Sequence, residues 1–295
     1  MKKILLSILS ALVLVPAANA WNGREHFAIA RIAEMHLTPQ AKAALNDYLN
    51  GTSIVEIAMD ADFYAGVWIR DLGFVPNNPT TARPKGTAGF DFNLPEQIAP
   101  WCHRQKLDKN DALYMTNSDG SRFVPSAAYD VDTIVKKLKK EVKKMTPEER
   151  YRYIALVVHI VGDLHQPMKF AYESINDTSY GHVKVFFGQK AAQKKSGTYL
   201  DTYWQDPMKD YGVEELAIAA DTATPEEIAK ITKGNIYNWT LQSAMASKDK
   251  HVAKETILPG RGVYYVENRN FTLSQIRNAG YRVAALLNEI FAKYK

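Results

Sequence analysis

Apolar residues recur at three-to-four spacing over residues 28–37 and again over 40–49, and Thr38-Pro39 between them is a helix-start signal. The pattern therefore predicts two consecutive helices. The same spacing returns over residues 131–145, at Ile134, Leu138, Val142 and Met145. Thr146-Pro147-Glu148-Glu149 opens a long apolar helix that Pro167 ends, and Pro225-Glu226-Glu227 and the segment from Leu273 onward open others. Residues 183–187 (VKVFF) are β-branched and aromatic and read as a short strand or hairpin arm. Residues 77–87 are rich in Pro, Gly and Thr and read as loop. No internal repeat or linker interrupts this order, so the chain reads as a single, mainly α-helical domain, with one short β-hairpin at most.

The amino-terminal pattern differs. Lys2 and Lys3 precede an apolar run over residues 4–15, and Ala18-Asn19-Ala20 has the small-x-small form of a cleavage site. Residues 1–20 read as a secretory signal ahead of a domain over 21–295. The apolar run is shorter than the ~20 residues that span a bilayer, and no later run is longer. The expectation is an exported monomer, periplasmic or extracellular, with no membrane span. The formal net charge of +5 includes Lys2 and Lys3 and is too small to argue for a polyanion partner by itself. A single cysteine, Cys102, excludes an intrachain disulfide, so a core or bound metals must hold the fold. Six lysines over residues 136–144 read as a solvated helix face in preference to an anion-binding patch.

His159 and Asp163 lie four apart in an apolar helix and share one face. Two such groups on a buried face need either each other or a cation, and the pair alone leaves both open. Other motifs surround it in a fixed order: Trp21 with His26 directly after the cleavage site, Ala61-Asp62, then His159 and Asp163 followed by His165-Gln166-Pro167. Leu200 with Trp204 comes next, and Ala279-Gly280, Arg282, Ala284 and Leu287-Asn288 close the chain. Together these resemble the single-strand-specific zinc nucleases of fungi and plants, relatives of the bacterial zinc phospholipases C, over the whole chain after the leader.

The resemblance implies a helical zinc-nuclease fold and a specific ligand set. Trp21 would bind zinc through the α-amine that cleavage frees, a group whose ordinary pKa near ~7.7 allows it to be neutral. One ion would take Trp21, His26 and Asp163, and another Asp62, His159 and Asp163. A water activated between the two would attack the phosphate, with Asp62 orienting it, so that Asp62 and Asp163 count as catalytic. Four positions depart from the family pattern: Phe90, Lys169, Asp201 and Gln205 stand where ligands belong. Asp91, beside Phe90, would point to the opposite side of an extended strand. A protonated ammonium is no ligand, so a Lys169–Asp201 ion pair is expected to fill the third zinc site, leaving one or two zinc ions.

On the substrate side the resemblance matches Asn93 to a base-edge contact, while Phe92 or Tyr64 could stack a base. Lys169 is a candidate phosphate contact, and His182 a candidate rescue ligand or substrate contact. His165 reads as supporting structure; His36, His103 and His251 lack metal-like spacing and receive no role. The function implied is a secreted metal-dependent phosphodiesterase acting on single-stranded nucleic acid or nucleotides. An inactive pseudo-nuclease serving as a binding protein and a phospholipase C-like phosphoesterase are the alternatives.

Overall fold

Asn22 caps the first helix, its side chain accepting from the Gly23 backbone N–H, and α1 (Gly23–Met35) follows. In this computed structural model residues 21–62, 103–116, 123 and 126–294 are described. Thr38 caps α2 (Pro39–Tyr48), with Pro39 in the first turn. Strand β1 (Gln105–Leu107) leads to α3 (Ala127–Glu141). A reciprocal capping box between Thr146 and Glu149 then starts α4 (Pro147–Asp163). From Tyr153 to Asp163 every residue of α4 is buried, the sign of a helix surrounded on all sides.

After α4 come β2 (Phe170–Tyr172), β3 (Lys184–Phe187), α5 (Gln189–Gln193), β4 (Thr198–Tyr199), α6 (Leu200–Gln205), α7 (Val213–Ala220), α8 (Pro225–Ile231) and α9 (Ile236–Ser247). Strand β5 (Ile257–Leu258) precedes the closing helix α10 (Arg261–Phe291). Strands β1 and β2 pair in parallel, Gln105 opposite Phe170. Strand β3 lies between β4, antiparallel, and β5, parallel, so the predicted strand over 183–187 belongs to a three-stranded sheet and not to a lone hairpin. Helix α10 packs against α1, α2, α4 and α7. It comes close to α1 at Gly280, where a Cβ would stand 2.6 Å from Cβ of Ile32.

The fold is mainly helical, as the periodicity predicts. The last helix starts at Arg261 and not at Leu273, because no proline interrupts the intervening turns. The lysine-rich face of α3 is solvated and paired: Lys136 meets Asp132 at 2.7 Å and Lys139 meets Glu289 at 2.5 Å. No helix among the described residues is long and apolar enough to cross a membrane. The leader over 1–20, the loop over 77–87 and Cys102 lie outside the described residues.

Helix α1 also turns a carboxyl inward. Glu25 is fully buried; one oxygen accepts from the Met208 N–H at 3.3 Å and the other has no hydrogen-bond partner. Burial first, and then Asp206, push its pKa from 4.5 to about 8. The folded protein therefore keeps a proton that the unfolded chain releases across that window, so stability falls as pH rises through it, by up to about 1.4 kcal/mol per unit. Thermal melts between pH 5 and 8 are expected to show this decline, and Glu25→Gln to flatten it. Equal slopes in the two proteins would mean that the carboxyl is ionised in the fold.

Candidate metal centre

Helix α4 presents His159 and Asp163 on one buried face, and α1 brings His26 against it. Gly162 makes the approach possible: a Cβ there would stand 3.0 Å from His26 Nδ1. His26 Nε2 lies 3.2 Å from Asp163 Oδ1, and His159 Nε2 lies 3.4 Å from Asp163 Oδ2. The two rings stack with centroids 3.9 Å apart. Asp62 closes the group from the segment after α2, its Oδ1 3.8 Å from His159 Nε2.

A fifth side chain joins these four. His103 Nδ1 contacts Asp163 Oδ2, and its ring stands edge-on to His159 at 4.9 Å. His103 lies two residues before β1, and the parallel pairing of β1 with β2 carries it beside the turn that leaves α4. Residue spacing gave His103 no role, and the structure corrects that reading. His103, Gln105 and Leu107 are buried while Arg104, Lys106 and Asp108 are less so, the alternation of a half-buried strand, which the residue types alone do not announce. Phe90, Asp91, Phe92, Asn93 and Tyr64 lie outside the described residues.

The donor set suits a metal. His159 Nδ1 donates to the Ala58 carbonyl at 2.7 Å, which leaves Nε2 as a lone pair facing the carboxylates, as second-shell bonds commonly fix metal-ligating imidazoles. Nε2 of His26, His103 and His159, together with Asp163 Oδ1, are buried and make no hydrogen bond. Two overlapping groups, His26–His159–Asp163 and Asp62–His103–His159, each offer ligand atoms within 4.8 Å of one another. Imidazole nitrogen and carboxylate oxygen in groups of three are zinc chemistry. Burial, with His159 adding to it, pushes His26 down to about 4, and burial lowers His103 as well, so both stay neutral and able to ligate. Burial opposes ionisation of Asp163, but Lys169, His159 and His103 outweigh it and hold the carboxyl well below its usual range. Burial likewise opposes a charge on His159, whose pKa Asp163 and Asp62 nonetheless raise.

Gly162→Ala is expected to displace the His26 ring, lower the bound zinc and destabilise the fold by about 1–3 kcal/mol. Metal content and a melting curve read both effects. Unchanged zinc would show that the glycine does not confine His26.

The remaining predicted residues divide. Trp21 is fully buried and its indole N–H donates to the Gly162 carbonyl at 3.1 Å, which docks the side chain on α4. The Lys169–Asp201 pair is not formed. Lys169 ends a 3-10 turn (Pro167–Lys169) that aims Nζ back at Asp163 Oδ2, 3.7 Å away. Asp201 instead meets His182 Nδ1 at 2.9 Å and accepts from the Thr202 N–H at 2.7 Å. His182 is drawn outward by that pair and stacks on Tyr199 at 4.1 Å, apart from the histidine–aspartate group. Gln205 ties down the residues before α1 through its backbone, its carbonyl accepting from the Asn22 N–H at 2.6 Å. His165 supports the fold as expected: Nδ1 donates to the Val161 carbonyl and Nε2 accepts from Arg282, each at 2.7 Å. The motif over 159–167 is thereby tied to the closing motif on α10. His36 pairs with Asp221 and His251 with Asp177.

A helical domain with a buried histidine–aspartate cluster whose ligand atoms lack hydrogen-bond partners offers a place for a metal ion. A profile of the S1/P1 nucleases matches residues 21–292, and the chain belongs to the S1/P1 nuclease family, which is zinc-dependent. No curated protein sequence matches it.

Proposed function

We propose that this protein is a secreted phosphodiesterase that hydrolyses single-stranded nucleic acid or nucleotides with one or two zinc ions, fewer than the family's three. The carrying observation is the set of buried ligand atoms without hydrogen bonds on His26, His103, His159 and Asp163. A pseudo-nuclease would bear the desolvation cost of those atoms with no return, about 1–3 kcal/mol for each unsatisfied group.

One ion would rest on Trp21, His26 and Asp163, with removal of the leader over 1–20 freeing the Trp21 amine. The other would rest on Asp62, His103, His159 and Asp163. Divalent ions there would polarise the phosphoester and favour a deprotonated water. The protein's own groups do the rest. The Ala58 carbonyl holds the His159 tautomer, and Asp163 keeps its charge at any physiological pH. Asp62, whose side chain at 11% is the most accessible of the carboxylates and imidazoles in the group, would orient an attacking water and take its proton. Asn93 and His182 are the proposed contacts to base and sugar-phosphate.

Elemental analysis of protein beginning at Trp21, and of a copy with one extra leading residue, tests the metal reading. One or two zinc ions per chain, falling in the extended copy, are expected, together with cleavage of single-stranded DNA or RNA. A zinc-free, inactive protein would be the pseudo-nuclease. Hydrolysis of phosphocholine lipids with nucleic acid untouched would move the protein to the phospholipase C side of the fold.

A further inference from the structure

Lys169 is a buried ammonium, 3% exposed, and the carboxylate beside it is already claimed from other directions. Asp163 Oδ2 meets His103 and His159 as well as Lys169, and Oδ1 meets His26. At 3.7 Å the Lys169 contact is one of charge and is too long for a hydrogen bond. Asp201 offers no relief, being held by His182 and the Thr202 N–H. Arg104, stacked on the Tyr180 ring at 4.8 Å, adds a second positive charge to the same neighbourhood.

We infer that Lys169 is a phosphate seat that opens when metal binds. The inference rests on the metal reading above and adds to it the group that receives the substrate's anion. Without an ion, the negative charge of Asp163 serves Lys169. An ion held by Asp163 takes that charge, and the ammonium is left buried with its nearest carboxylate neutralised, a costly state that an arriving anion relieves. The wider balance points the same way. Asp62, Asp163 and Asp201 face Lys169 and Arg104, so the pocket is net negative before a dication enters and net positive afterwards. A tetrahedral phosphate oxygen accepts a short charge-assisted bond from an ammonium. An ammonium is a point charge on a flexible stem, with no planar fork to read a base edge. The seat therefore serves phosphate, whichever base is attached.

Linkage makes the inference measurable, since metal and phosphate must each tighten the other by one and the same factor. The probes are zinc, titrated against a competing chelator, and inorganic phosphate, using the mature chain and its Lys169→Met and Lys169→Arg variants. Phosphate is expected to tighten zinc binding about tenfold or more in the unaltered protein, less than about twofold in Lys169→Met, and by an intermediate factor in Lys169→Arg. Coupling of equal size in Lys169→Met, or zinc binding without any coupling in the unaltered protein, would overturn the seat and leave the hydrolase reading standing. No zinc binding at all would instead remove the hydrolase reading, and the seat with it. Should Lys169→Met not fold, the coupling in the unaltered protein and in Lys169→Arg still decides.

Discussion

Asp163→Ala is expected to yield a protein with no bound zinc and at least a thousandfold less nuclease activity. Asp163 is the residue on which His26, His103, His159 and Lys169 all converge, so both proposed ions lose a ligand at once. Two-metal phosphoryl chemistry needs its shared carboxylate, and loss of charge stabilisation alone typically costs 10²–10³ in rate. Stability should fall too. Removing one member of a buried charge cluster leaves Lys169 uncompensated, a loss of about 3–5 kcal/mol, read as a melting temperature lower by on the order of 10 °C. Elemental analysis and a thermal scan suffice. A variant that kept its zinc would show that the carboxylate serves the fold alone and that the metals lie elsewhere.

The second large effect separates the two ions. His103→Ala is expected to remove the zinc on the Asp62–His159 side and spare the one on the Trp21–His26 side, so bound zinc falls by one ion per chain. Activity should drop about a hundredfold or more, since even second-shell partners of metal ligands are worth ten- to a hundredfold. The comparison that matters is zinc content against activity in the same preparation. Undiminished zinc would take His103 out of the ligand set and return the search to the segment around Phe90.

The parts of this centre that sequence reveals are those set by local geometry. His159 and Asp163 share a helical face because four residues make about one turn, and the run of apolar residues around them announces that the face is buried. Capping boxes and proline starts likewise mark α2, α4 and α8 directly. His103 is different. Its place depends on β1 finding β2 more than sixty residues later, and a parallel pairing across that distance leaves no spacing rule to read. The partner of Lys169 was hidden for a related reason. Whether its stem points at Asp201 or at Asp163 is decided by the 3-10 turn after α4, a matter of backbone direction that residue types alone do not encode. The start of α10 is hard to read because its buried positions before Leu273 are Tyr264, Asn268 and Thr272, which make no apolar stripe.

The close crossing of α1 and α10 at Gly280 and Ile32 also sets an order of events. His26 rides on the first helix, and that helix is seated against the last one. Contacts between the two ends close the largest loop the chain has, and they are entropically the slowest to form. During synthesis α1 and α4, with His26, His159 and Asp163, emerge long before α10. The support that α10 gives α1 would come last, and a chain that stops short of α10 would carry every proposed ligand residue but leave α1 without it. If the proposed metal centre forms, zinc uptake would report that α10 has docked.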